Sequence, residues 1–491
     1  MFRIFFIVLL LLFLGVGFYH LYKPLPENIS FSSVEYKLNS NSVFLLKDET
    51  YLNSNGARES NQEIFAEVFK MIDEAEYYIL IDFFLFNNFM GTSKEEPYRA
   101  LSSELTNRLI TKKEKNPDII IQLITDPINT VYGGYRAENL EKLESAGIKV
   151  INTDLTVLRD SNPLYSSVWR VLFKQLGNSD GKGYLPNPFD SEADKLGLRT
   201  YLAVLNYKAN HRKVIMTDYS KADKARFSVL VTSANPHDGS SAHSNTALRV
   251  DSKLWQDLLI TEAAVANFSQ QEFIYPPSDL IEAVKEVERK EMEGDLIVQL
   301  LTEQKIKDKI LTTIDSLNNG DSLDLAMFYL SDRDIVKALK EADRRGVKLR
   351  LLLDPNKDAF GREKNGIPNR QVADELISNT RGNTEIRWCD THGEQCHSKL
   401  FIAKTTEATI LIQGSANFTR RNLDDFNLET DIYLFGSSAE PVFVQVDSFF
   451  NRQWSNSNDR IYSIDYENYQ DNSLLRKVTY RIKEFTGLSR W

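Results

Sequence analysis

One order of elements occurs twice in this 491-residue chain, and that internal repeat constrains its fold more than any other feature. The first half runs through NSVFLLKDETYLN, the stretch QEIFAEVFKMIDEAE and the apolar run YYILIDFFLF, from Tyr77 to Phe86. The second half runs through DLIVQLLTEQKI, KDKILTTIDSLNNG and SLDLAMFYL, from Ser322 to Leu330. Ile64, Val68, Met71 and Ile72 recur at three- and four-residue spacing, as do Ile310, Ile314 and Leu317, so each stretch is a helix with one face to bury. Each half then has a second helix (Tyr98 to Lys112, and RDIVKALKEADRRG) and a strand ending in Asp-Pro, DIIIQLITDP and VKLRLLLDP. Apolar runs without alternation are expected of central strands covered on both faces, so the pattern predicts two α/β lobes of like topology. GIKVINTD then matches TEIRWCDT, and FSVLVTSAN matches ATILIQGSAN.

The first lobe is expected over residues 33–275 and the second over 280–470, with the break at the Pro pair of YPPSD. An insertion rich in Gly, Pro, Asp and Ser interrupts the first lobe near 155–198, either a lid or a disordered segment. Residues 1–24 place Arg3 ahead of an apolar run, Ile4 to Tyr19, with no further charge before Lys23. The run approaches the roughly 20 residues a spanning helix needs. It lacks a small-residue cleavage site and ends in an aromatic belt, Phe18, Tyr19 and Tyr22, so an uncleaved membrane anchor is expected in preference to a cleaved signal peptide. Signal-like architecture, and not flank charge, leads to the expectation that the rest of the chain lies on the exported side. The basic tail, 471–491, mixes Arg and Lys with Tyr480, Ile482, Phe485, Leu488 and Trp491. It reads equally as a surface for an anionic bilayer and as a helix packed on the second lobe.

A formal net charge of −10 excludes broad non-specific binding to a polyanion, which relies on surplus Lys and Arg. A local basic cleft remains compatible with it. Cys389 and Cys396 leave their redox state open.

Within the repeat, NHRKVIMTD carries His211, Lys213 and Asp218, and CHSKLFIAK carries His397 and Lys399. Strand residues two apart share a face, so each His projects with its Lys. Each motif is followed by a strand ending in Ser-Ala-Asn, with Ser233 and Asn235 in one half and Ser415 and Asn417 in the other. The chain has only six His, and two of them occupy matched repeat positions. A structural role for these residues is disfavoured, because buried His and Lys are poor packers. Chemically, two ammonium groups and two amides can hold the charge that builds on the non-bridging oxygens of a phosphodiester. One imidazole can attack phosphorus while the other protonates the leaving oxygen, so the site needs no metal or other cofactor.

Two His-x-Lys motifs, the first completed by Asp218 and each followed by Ser-x-Asn, resemble the phospholipase D superfamily over most of the chain. The resemblance implies two phospholipase D-like lobes in pseudo-twofold arrangement behind one N-terminal transmembrane helix, with the site at their interface. It implies His211, Lys213, Asn235, His397, Lys399 and Asn417 as the catalytic set, with Ser233 and Ser415 in support. It also implies attack by His211 and protonation by His397. Lys404 stands where the family has the Asp that Asp218 represents in the first motif, and Thr232 where it commonly has Gly. Glu429 is expected to orient His397 and Asn245 to orient His211; a carboxylate behind His397 argues for the reverse assignment of attacker. His392 with Cys389, Cys396 and His397 spells a weak zinc pattern, and His237 and His243 read as exposed loop residues. The expected substrate is phospholipid at the membrane, hydrolysed or transferred to an alcohol acceptor, as in phospholipase D or a cardiolipin synthase. Nucleic acid, as for an exported nuclease, and a catalytically silent interaction protein are the alternatives.

Overall fold

The structure, a computed structural model, describes residues 2–91, 98–179, 183–222, 224–290 and 294–489. The matched apolar runs form strands Tyr78–Phe83 and Ser322–Met327, buried almost throughout. The helices between them are amphipathic and capped locally. Arg333–Arg345 starts on Asp332, whose carboxylate accepts from the Asp334 and Ile335 N–H groups, and stops at Gly346 in the left-handed conformation (φ 90°).

Two mixed sheets result. The eight-stranded sheet has the order Arg58–Gln62, Val43–Leu52, Asn245–Val250, Lys224–Thr232, Lys213–Lys221, Tyr78–Phe83, Ile120–Thr125 and Lys149–Asn152. The nine-stranded sheet has the order Tyr36–Leu38, Leu296–Thr302, Thr430–Ser437, Ala408–Gly414, Lys399–Lys404, Ser322–Met327, Lys348–Leu353, Thr384–Cys389 and Ser463–Asp465. Without the extra edge strands, the two match strand for strand. Each motif strand lies antiparallel beside the matched apolar strand of its half, with Lys213 opposite Phe83 and Lys399 opposite Met327. One boundary differs from expectation: Tyr36–Leu38, assigned to the first lobe, pairs with Leu296–Val298 of the second sheet. So short an edge strand has no pattern of its own, and its partner is chosen only in three dimensions.

The lobes share a core. Val214, Met216, Val231 and Leu248 of one sheet and Leu400, Ile402, Leu411 and Ile432 of the other belong to one buried cluster, while each sheet's far face has its own helix-covered core. The joint between the motif strands is therefore packed like a domain interior and held by apolar burial.

The insertion carries a packed helix where it is described. Its helix Pro163–Leu172 packs along the N-terminal helix Phe2–Tyr22, so closely that a Cβ on Gly17 would lie 3.1 Å from the Pro163 carbonyl oxygen. The Asp160 N–H donates to the His20 carbonyl (2.9 Å), and Arg159 Nε to the Lys23 carbonyl (2.8 Å). Beyond these contacts the N-terminal helix is almost wholly unburied, and its span Arg3–Tyr22 is long and apolar enough to cross a membrane. The tail forms the helix Leu474–Thr486 on the second lobe; Trp491 lies outside the described residues.

Candidate active site

The two His residues sit just before their strands, and each is fixed by backbone bonds to the opposite lobe. The His211 N–H donates to the Leu428 carbonyl (2.8 Å), and the Leu428 N–H returns to that of Ala209 (3.0 Å). In the same way the His397 N–H donates to the Ser244 carbonyl (2.8 Å), and the Ser244 N–H to that of Gln395 (3.0 Å). These exchanges put the residue after Leu428 against His211 and the residue after Ser244 against His397.

The orienting groups are consequently swapped relative to expectation. Glu429 does not hold His397; its Oε2 lies 2.9 Å from His211 Nδ1, while Asn245 Oδ1 lies 3.1 Å from His397 Nδ1. Comparing one half with the other identifies equivalent positions but not which lobe they serve. Each orienting group is held by its own lobe's Ser: Ser233 Oγ donates to Asn245 Oδ1 (3.0 Å), and Ser415 Oγ donates to Glu429. Asn422 Nδ2 donates to the other oxygen of Glu429, and Asn245 Nδ2 to the His243 carbonyl (3.1 Å). Both Nδ1 atoms thus face acceptor oxygens and carry the ring proton, leaving Nε2 as the basic nitrogen of each imidazole.

The Lys residues repeat the symmetry. Lys213 and Lys399 each donate to the carbonyl of their own His at 2.7 Å. Phe84 and Phe328, at the ends of the matched apolar strands, lie 5.1 and 5.3 Å from those ammonium groups and 4.8 and 4.9 Å from the imidazoles. Asn235 Oδ1 accepts from the Leu85 N–H (3.1 Å), whereas the buried Asn417 Oδ1 has no hydrogen-bond partner among the described residues. All six motif residues are buried.

Burial sets the electrostatics. Desolvation, then Lys213 and Lys399, holds His211 well below its ordinary pKa; desolvation, Lys399, His243, Lys213 and His211 do the same to His397. Each lobe's Lys therefore acts on the other lobe's His. Burial brings Lys213 down to about 7 against the pull of Glu429, and pushes Lys399 well below its usual range. Burial also raises Glu429. Burial thus disfavours the charged form of His, Lys and carboxylate alike, and the two ammonium groups add a positive field at both imidazoles.

Three features were missed in the sequence. The Asp-Pro strand ends are positioning groups: Asp126 accepts from the Asn210 N–H (2.6 Å) and Asp354 from the Cys396 N–H (2.9 Å), the residues just before each His. The repeat had displayed both. The Phe pair was likewise visible as repeat-matched. Arg212, between His211 and Lys213, had no such signal. It points to the opposite side of its strand, fully buried, and bonds Glu262 (3.0 Å) in its own lobe and Glu303 (2.8 Å) in the other. Glu303 in turn accepts from the Glu429 N–H (3.0 Å).

Asp218 lies five residues beyond Lys213, about 16 Å along an extended strand. Its carboxylate accepts from the N–H groups of Glu76 (3.1 Å), Tyr77 (3.0 Å) and Tyr78 (2.7 Å), joining the motif strand to the start of its neighbour. Lys404, its counterpart, pairs with Asp324 (2.8 Å) and Asp447. His237 and His243, expected to be exposed, are buried because their loop is sandwiched between the lobes. His243 Nδ1 accepts from the Gln395 N–H (3.2 Å), and its ring centroid is 5.9 Å from that of His397. Cys389 and Cys396 form a disulfide, which removes both thiolates from the zinc pattern, and His392 pairs with Asp390 (3.1 Å).

Comparison with known proteins bears on this geometry. Residues 310–454 match the family model described as "Cardiolipin synthase, PLD-like domain". No curated protein matches the chain. Phosphatidylserine synthase of Haemophilus influenzae Rd KW20 superposes with a TM-score of 0.54 at 10% identity, covering 91% of this chain and 94% of that one. Polyphosphate kinase from Porphyromonas gingivalis gives 0.44 at 10% identity over 91% of this chain and 53% of that one. Nuc from Salmonella typhimurium, a phospholipase D family member, gives 0.27 at 19% identity over 34% of this chain and 98% of that one. The last two scores carry no weight; the first is a likeness of fold spanning both lobes. The second lobe therefore matches a phospholipase D-like family model, the first repeats its motif, and the two lobes together share the fold of that phosphatidylserine synthase.

Proposed function

We propose that this chain is a phosphodiesterase acting on phospholipid, by hydrolysis or phosphatidyl transfer, through a covalent phosphohistidine and without a resident metal. The observation that carries the reading is the crossed pair: two imidazoles from two lobes, each with Nδ1–H engaged and Nε2 spare, beside two Lys. A phosphodiester entering there brings the negative charge that Lys213 and Lys399 are placed to hold, with Asn235 and Asn417 beside them.

His211 Nε2 attacks phosphorus, and the bond from phosphorus to the leaving alcohol breaks as His397 Nε2–H gives that alcohol its proton. The bound phosphate offsets the positive field that otherwise keeps His397 deprotonated. His397 then takes the proton of water or of an acceptor alcohol, which displaces phosphorus from His211. Phosphohistidine with a protonated Nδ1 is cationic, and Glu429 is the group placed to stabilise it. The family resemblance and the charge argument, opposed when Glu429 was assigned to His397, now agree on His211 as nucleophile.

Phospholipid is favoured by the apolar N-terminal helix, by the description of the matching family and by the name of the phosphatidylserine synthase that shares the fold. The disulfide fits catalytic lobes on the exported side of the membrane, since such bonds persist in oxidising compartments. The test is to incubate the full chain with mixed phospholipids and glycerol, and separately with single-stranded DNA. Phosphatidic acid indicates hydrolysis and phosphatidylglycerol indicates transfer, and mass spectrometry should find an adduct on His211. Nucleotide release alone transfers the reading to a nuclease, and no turnover of any phosphodiester removes it.

A further inference from the structure

The C-terminal helix Leu474–Thr486 is amphipathic in the inverted sense. It docks on the second lobe through polar contacts and turns its apolar stripe outward. On the inner side Tyr480, 1% exposed, donates to the Ser331 carbonyl (3.0 Å), and Glu484 accepts from Ser331 Oγ (2.9 Å) and the Arg420 N–H (3.2 Å). On the outer side Leu474 (75% exposed), Leu475 (75%), Val478, Ile482 and Phe485 (86%) fall within one stripe at helical spacing. A contiguous exposed apolar stripe on an otherwise well-packed lobe marks a contact surface.

Its position says with what. Just past the helix, Gly487 abuts Ser161 and Asn162, and Arg421 joins Ser161 Oγ (3.3 Å) to the Gly487 carbonyl (3.1 Å). Ser161 follows Asp160, which bonds the His20 carbonyl, and Asn162 precedes the helix Pro163–Leu172, which packs along the N-terminal helix and exposes Leu164 and Leu172. The base of the apolar N-terminal helix, the insertion helix and the end of the inverted helix therefore meet at residues 160–163.

We infer that the helices Leu474–Thr486 and Pro163–Leu172 form a membrane-contacting face, seated in the interfacial zone of the same bilayer that the N-terminal helix enters. The inference rests on reading that helix as a membrane span. A single span leaves a catalytic domain free to swivel, whereas a span and two interfacial helices fix its orientation. Arg421, which ties this face together, is followed by Asn422, a hydrogen-bond donor to Glu429. The candidate active site is therefore held at a set height above the lipid.

The test uses the full chain reconstituted in phosphatidylcholine and phosphatidylglycerol vesicles, with one environment-sensitive label at Phe485→Cys, Leu10→Cys or Glu407→Cys. Both native Cys are consumed in the disulfide, and all three positions are exposed, so folding is not at stake. Glu407 lies in the turn at the end of strand Lys399–Lys404 away from the site. Lipids carrying a quencher in the acyl region should quench Leu10→Cys and Phe485→Cys and spare Glu407→Cys. Quenching of Leu10→Cys alone overturns the inference and leaves the anchor intact. Quenching of neither overturns both. Shielding of the Phe485→Cys label that disappears on diluting the protein in the bilayer assigns the stripe to a second copy of the chain and also overturns it. None of these outcomes depends on turnover, so they are separable from the proposed activity.

Discussion

The two lobes have the same strand order, the same His-x-Lys pair and the same Ser-Ala-Asn strand end, yet two of their differences bear on how the motifs are held. The first has Asp218 and Asn245 where the second has Lys404 and Glu429. Within a lobe these departures look like separate losses. In the fold they separate by kind: Asp218 and Lys404 serve their own lobes as anchors, while Asn245 and Glu429 each serve the other lobe's His. The first lobe's His211 has the charged partner, supplied by the second; the second lobe's His397 has the neutral one, supplied by the first. Duplicated lobes that trade orienting groups can give two identical residues different tasks while neither half is complete.

That asymmetry can be broken outright. His211→Ala should abolish turnover, a loss of about 10⁴-fold or more in kcat, together with the covalent adduct. His397→Ala should lose comparable turnover on natural substrate but still form the adduct from a phosphodiester with a good leaving group, which needs no acid. An adduct on His397 in the His211→Ala variant would reverse the roles. Next in size is Arg212→Met, expected to destabilise the fold by about 3–5 kcal/mol because Glu262 and Glu303 are left buried without their partner. Chemical denaturation measures it. Ser398, the residue at the same place in the second motif, is buried but uncharged and should tolerate Ala with a far smaller loss.

Glu429→Gln should lower kcat about 10²-fold, roughly 2.7 kcal/mol, by removing the charge behind the phosphohistidine. Asn245→Asp, the converse change, should instead move the alkaline limb of the pH–rate profile upward, because a carboxylate then stabilises protonated His397. An effect of Asn245→Asp on adduct stability would contradict the crossed assignment. Lys213 adds a pH dependence. With its pKa brought down to about 7, the empty site loses that charge above neutrality, and phosphate affinity should fall by up to about tenfold per pH unit there. Calorimetry in buffers of different ionisation enthalpy should show proton uptake on binding above pH 7. The folded state also binds fewer protons than the unfolded chain from about pH 7 to about 10, so the stability cost of burying Lys213 is full below that window and relieved as pH rises through it.

The anchors should differ least. Asp218→Ala leaves three N–H groups without their acceptor and should cost about 1–3 kcal/mol with kcat unchanged. Lys404→Ala removes a partly exposed ion pair and should cost about 1 kcal/mol or less.

Most of the architecture was legible because it depends on local periodicity. The strands Tyr78–Phe83 and Ser322–Met327, their amphipathic helices and the motif strands all follow from apolar runs repeated in one order. The residues that meet where the lobes join were legible because His, Lys and Asn recur at matched spacing in the two halves and are poorly suited to packing a core. Tyr36–Leu38 was not, since three residues cannot declare a partner sheet. The burial of His237 and His243 was not, since a polar loop between two lobes reads the same as one in water. Arg212 was hidden for a related reason: its partners lie 50 and 91 residues away.

From sequence alone came the two lobes, the apolar N-terminal helix and the candidate site residues, because residue type and spacing along a strand or helix are local quantities. The tertiary structure decided which orienting group serves which His, how Arg212 joins the lobes and where the C-terminal helix turns its apolar stripe. Those depend on the exchange of backbone bonds at His211 and Leu428 and at Ser244 and His397, contacts between segments far apart in the chain. Only the packing of one sheet on the other brings them together.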